Sequence, residues 1–165
     1  MTNFYLGLAR GPIDHQSSSV PNLIANEAIG MGSLVVQLAA IPTAELIARV
    51  EEADAATEIG YGIAVGGDAD GIYSTTGAAP TDDTTRAASA AGQGVVVCTQ
   101  GRCLARVDGN ADAIVVGSPL SASATAGVLE LADAATDYII ARALQPSTGA
   151  TDIIAVDVQR EGLLT

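Results

Sequence analysis

A chain of 165 residues is one domain by length, and it can bury about 70% of the surface its unfolded form exposes, so neither disulfide nor metal is needed to fold it. Seven arginines and no lysine stand against 19 acidic residues, a net charge of −12. Such a surface repels nucleic-acid phosphates and anionic lipids, which argues against both as partners.

The balance of residue types carries two further implications. Hydrophobic residues make up 48% of the chain and charged ones only 16%, too apolar for an isolated acidic monomer. Part of the apolar surface is therefore expected to be covered by neighbouring subunits or a large partner. A GC-rich genome would replace lysine with arginine, yet arginine is scarce too. The composition points to a salt-loving source, where acidic side chains hold a hydrated surface and self-repulsion is screened.

Residues 1–26 read as an extended arm. Phe4, Tyr5, Leu6 and Leu8 follow no period, and Pro12 and Pro21 disfavour helix around them. Two of the chain's five aromatics lie here, and aromatics bury large areas at interfaces, so Phe4, Tyr5, Leu6 and Leu8 are candidate contact residues. The N-terminus shows no basic region followed by an apolar core. The longest uncharged apolar runs, 28–44 and 113–129, are broken by Gly and Pro and fall short of the roughly 20 residues of a spanning helix. A soluble or assembled protein is expected, with no membrane partner.

From residue 27 to 165 a single β-domain is expected. Leu34–Val36 reads as a strand after the Gly30/Gly32 turn. Residues 43–54 fit a helix capped by Thr43 and fit a strand equally well. Residues 59–65 are apolar and Gly-rich, and 66–71 form a turn. Residues 74–93 hold no large apolar side chain and read as an exposed loop. Strands are then expected near 94–99, 103–108, 113–116, 127–131, 138–144 and 152–158. In the last of these, Ile154, Val156 and Val158 share one face. Thr99–Arg102 would be a hairpin loop with Gly101 at positive φ. Short strands at this spacing predict a mainly β fold, a small barrel or sandwich. A faint duplication accompanies them: Ile29-x-x-Gly32-Ser33-x-Val35 resembles Ile114-x-x-Gly117-Ser118-x-Leu120, and Gly62–Val65 resembles Ala141–Leu144.

Catalytic signatures are not found in the sequence. The one histidine, His15, lies in the arm beside Ser17–Ser19, and local neighbours do not make a triad. Cys98 and Cys103 would face each other across the hairpin, either as two small buried thiols or as a disulfide. A lone C-x4-C pair is a poor zinc site. Asp108, Asn110 and Asp112 have the spacing that opens a calcium loop, but Ala113 and Pro119 stand where its glycine and bidentate glutamate belong, so they are only weak metal candidates. Asp68 and Asp70 are weaker still. Gly66-Gly67 lacks the lysine and helix of a phosphate loop. No catalytic residue, cofactor or metal is expected.

One resemblance organises these patterns. Gly94–Val97, Ala105–Gly109, Val116-Gly117-Ser118-Pro119-Leu120-Ser121-Ala122-Ser123, Ala126-Gly127 and Ile139–Leu144, with upstream Ala28–Val35 and Ile59–Val65, resemble the decoration or cement proteins of tailed-virus capsids, bacteriophage or haloarchaeal, over about residues 28–158. The resemblance implies a compact β-domain that binds the outer surface of a capsid lattice and bridges neighbouring major capsid subunits, often as a homotrimer. It implies a non-enzymatic virion protein assembled in the host cytoplasm, whose partners are the major capsid protein and itself. Two rival readings are a virion turret that binds a host receptor and a small metal-dependent enzyme using Asp108, Asn110 and Asp112.

Overall fold

Fifteen consecutive residues, Gly94–Asp108, form one strand that buries odd-numbered side chains in both halves, yet on opposite sides. Val95 and Val97 are buried on one side, whereas Cys103, Ala105 and Val107 are buried on the other. The buried side changes at Thr99–Gly101, where the neighbouring strand pairs with Cys98 and then with Gln100 in one step, leaving Thr99 extra, and Gly101 has φ 90°. A side-chain residue at that φ is strained, and the extra residue turns every following side chain to the opposite face. The expected hairpin at 99–102 is therefore not a hairpin: Gly101 makes a bulge in a continuous strand.

The computed structural model describes residues 18–38, 48–67 and 87–164. Eleven strands run in order: β1 (Ser18–Ala25), β2 (Ile29–Gly30), β3 (Leu34–Gln37), β4 (Arg49–Glu52), β5 (Gly62–Gly67), β6 (Ala87–Ser89), β7 (Gly94–Asp108), β8 (Pro119–Ala122), β9 (Leu129–Leu131), β10 (Tyr138–Ala143) and β11 (Asp152–Leu163). No helix occurs among the described residues, and the fold is mainly β with barrel closure, as the sequence predicts.

The pairings close two rings that share β7. The first runs β1-β4-β3-β5-β7 and returns to β1. The second runs β7-β11-β10-β8-β9 and returns to β7. Each ring has one parallel pair, β1–β4 in the first and β7–β9 in the second, and is otherwise antiparallel. The registers correspond residue by residue. Val35 pairs with Gly62 and Glu52, and Leu120 pairs with Ala141 and Leu131. Ala25–Val50 corresponds to Val107–Leu129, and Ala64–Val97 to Ala143–Val156. The bridge Ile29–Ser89 has its counterpart in Ile114–Ser147. The faint sequence duplication is thus a duplication of the barrel.

Burial follows the same map. Leu23, Ala25, Val35, Val50, Ala64 and Val97 fill the first barrel. Their counterparts Ala105, Val107, Leu120, Leu129, Ala143 and Val156 fill the second. The outer wall of the first barrel (Leu34, Val36, Ile63, Val65, Cys98) joins that second cluster, so one apolar core spans the junction between barrels. Each fully buried Leu, Ile or Val there contributes about 1.5–3 kcal/mol relative to exposure.

Several expectations need correction. Residues 18–25, expected in the arm, form β1, which closes the first barrel; Pro21 is accommodated because the pairing with β7 shifts register between Val20 and Leu23. Within the loop expected at 74–93, residues 87–89 are strand β6, with Ala88 and Ser89 buried. The strand expected at 113–116 is reduced to the Ile114 bridge followed by a turn. The ambiguous segment resolves as strand at 49–52. Phe4, Tyr5, Leu6, Leu8, His15, residues 43–47 and residues 68–86 lie outside the described residues.

Leu34 is fully buried where the two barrels meet. Leu34→Ala is expected to cost about 2–5 kcal/mol, through lost transfer energy and the cavity left behind. The check is denaturant unfolding, which should show one transition at a lower midpoint; an unchanged midpoint would place Leu34 outside the supporting core.

Candidate contact surface

The surface candidate is built from a turn that occurs twice. In the first barrel, residues 29–33 lead into β3; in the second, residues 114–118 lead into β8. Gly32 and Gly117 have φ 80° and 90°. Gly32 N–H donates to Ala64 O, and Gly117 N–H to Ala143 O, both at 2.8 Å. Ser33 N–H donates to Gly30 O at 3.3 Å, and Ser118 N–H to Val115 O at 3.0 Å. The two turns have the same backbone.

Their surroundings differ. The first turn is inserted between β7 and β9 of the second barrel. Arg106 N–H donates to Gly32 O at 2.9 Å, Leu34 N–H to Gly127 O at 2.9 Å, and Gly127 N–H to Ala53 O at 2.8 Å. Gly127 is required there, because a Cβ would come within 2.6 Å of Ser33 Oγ. Glu52 Oε1 accepts from Gly30 N–H and from Ser33 Oγ, both at 2.7 Å, and Arg106 Nη1 donates to Ser33 Oγ at 3.3 Å. Met31 at the tip is buried.

Among the described residues the second turn has no such socket. Val115 and Val116, at the positions of Gly30 and Met31, are 60% and 65% exposed. A Cβ on Gly117 would meet nothing within 4 Å. Ser118 Oγ accepts from Val115 N–H at 3.1 Å and holds the turn. Gly117 O accepts from Arg142 Nη1 at 3.2 Å, while Arg142 Nε and Nη2 bond Glu161 at 2.6 and 2.7 Å. Arg142 stands where the first barrel has the junction residue Ile63. A guanidinium thus replaces the next barrel as the partner of this carbonyl, as a polar cap ends a repeat array.

The remaining sequence candidates have local explanations. Asp108 Oδ1 accepts from Asn110 N–H at 2.9 Å, the turn-forming bond of an Asx residue, and Asn110 and Asp112 are exposed. Among the described residues no group of three His, Cys, Asp or Glu is gathered to hold a metal. Cys98 and Cys103 are free thiols on one strand, both fully buried, brought to the same face by the bulge and hydrogen-bonded to each other. The bond to Cys98, together with burial, pushes the Cys103 thiol well above its ordinary range. At the bend of β7 an open cleft of about 620 Å³ is lined by Thr99–Arg102 and Asp157–Arg160. Ser18 pairs with Gln100 beside it.

Sequence reasoning missed one signal. Ala-Asp-Ala-Ala-Thr occurs at 53–57 and again at 132–136. Each copy ends in a carboxylate that accepts two backbone N–H groups: Glu58 from Asp54 and Ala55 at 2.7 and 3.1 Å, and Asp137 from Asp133 and Ala134, both at 2.9 Å. That repeat marks corresponding loops of the two barrels.

No protein-family model matches the chain, and no curated protein matches it. Among solved structures it is similar to the N base of the head fiber gp8.5 of bacteriophage phi29, with 12% sequence identity, a TM-score of 0.49, and coverage of 91% of this chain and 100% of that one.

The bond to Arg142 holds the Glu161 carboxyl below the ordinary glutamate range. The stability it contributes is present above the unfolded carboxyl's pKa and is lost as pH falls through the lower folded value. The side chains are 42% and 30% exposed, so the pair is worth less than about 1 kcal/mol. The melting difference between wild type and Glu161→Gln should be small at neutral pH and vanish in acid; a difference that grows in acid would contradict this sign.

Proposed function

We propose that this chain is a virion structural protein that decorates the outer surface of a capsid and stabilises it by bridging neighbouring major capsid subunits. The observation that carries the proposal is a rigid, doubly closed β body with large apolar side chains exposed at several points: Ile59 at 57%, Leu163 at 59%, and the Val115–Val116 turn. On a body of net charge −12, such points suit several modest contacts with a repeating lattice, whose combined avidity exceeds any one of them. Both barrel interiors are filled by aliphatic side chains, so the outer surface is the part left to act. The sequence resemblance to capsid decoration proteins agrees with this reading.

In this account the protein is non-catalytic, works without a cofactor, and acts as a homotrimer on the virion of a tailed virus of a salt-loving host. The arm residues Phe4, Tyr5, Leu6 and Leu8 add apolar contact with capsid or sister subunit. Replacing all four with Ser in the full chain should lower occupancy on capsid shells and reduce the gain in shell melting temperature. Occupancy and melting equal to wild type would remove the arm from the account. Light scattering should give a mass three times that of the chain.

A further inference from the structure

We infer that the turn at residues 114–118 is a docking plug for another protein, seated on a splayed pair of β-strands of the capsid subunit. This inference rests on the decoration reading and names the contact that performs it. The chain itself shows what a turn of this design does. Its counterpart, residues 29–33, is inserted between β7 and β9, where it accepts a bond from Arg106 N–H while Leu34 N–H donates to Gly127 O.

The described residues of a second copy offer no such socket. The first-barrel strand pair corresponding to β7–β9 is β1–β4, and it is closed by its own bond, Ile24 N–H to Ala48 O at 3.1 Å. Ala48 stands where the socket has Gly127. The socket of the second barrel is filled by its own chain. A partner must therefore bring the splayed pair, with a backbone N–H for Gly117 O and an apolar floor for Val115 and Val116.

The plug is prepared for this. Ser118 bonds Val115 through both its N–H and its Oγ, so little ordering remains to be done on binding. Gly117 O keeps a second lone pair beside its bond to Arg142. The two valines that would be desolvated already stand clear of the body.

The test uses the full chain and shells assembled from the major capsid protein. Val115→Asp/Val116→Asp should reduce binding by about tenfold or more, because a charge would be buried in an apolar contact. Its melting temperature should match wild type, since exposed substitutions away from the core change stability little. Should the double aspartate variant fold poorly, Val115→Ser/Val116→Ser serves the same comparison. A photo-crosslinker at position 116 should capture the capsid subunit. Full binding by a folded variant, or crosslinking to another copy of the chain, would overturn the plug while leaving the decoration reading standing. Failure of the wild type to bind shells would overturn the decoration reading, and the plug with it.

Discussion

Everything in this molecule depends on β7 serving as a wall of two barrels. Its first half pairs with β1 and β5, its second with β11 along 101–107 and with β9 at Val107 and Asp108. A single uninterrupted alternation could not serve both barrels, because Val95 and Val97 must point into the first while Cys103, Ala105 and Val107 point into the second. One extra residue at the Gly101 bulge resolves the conflict. The same step brings Cys98 and Cys103 onto one face.

The junction adds a second constraint. The first barrel gives its outer wall to the second barrel's core, and its 29–33 turn fills a gap between β7 and β9. Apolar burial supplies most of the attraction, while the backbone bonds at Gly32, Leu34, Ala53 and Gly127 fix the geometry. At the corresponding places the array stops. Arg142 replaces Ile63, Asp157 replaces Cys98, and Ala48 replaces Gly127. Those exchanges turn a wall built for packing into one built for water, and the Val115–Val116 tip stays apolar and open.

The β class and most strand positions were legible because aliphatic runs and turn glycines are local signals. The fusion of the barrels was not. Gln100-Gly101 reads equally as a hairpin turn or a bulge, and the choice is made by β11, some fifty residues away in sequence. β1 was hidden by Pro21, which argues against a strand until the register shift that accommodates it is known. The duplication was visible at Gly32-Ser33 and Gly117-Ser118, and Ala-Asp-Ala-Ala-Thr would have fixed its spacing. The exposed turn could not be read from composition, since Val115 and Val116 look like any buried pair. Only the comparison with the docked turn of the first barrel marks them as exposed by design.

The claim that one strand fuses two barrels into a single body is tested most directly by native-state hydrogen exchange along β7. Amides that share one cooperative unit open with the same free energy. The hydrogen-bonded amides between Val95 and Cys98 and those between Cys103 and Val107 should therefore exchange with equal opening free energies, at the level of global unfolding. If one half exchanges at a clearly lower free energy while the other stays protected, the barrels unfold separately, and the account of a single fused body is wrong.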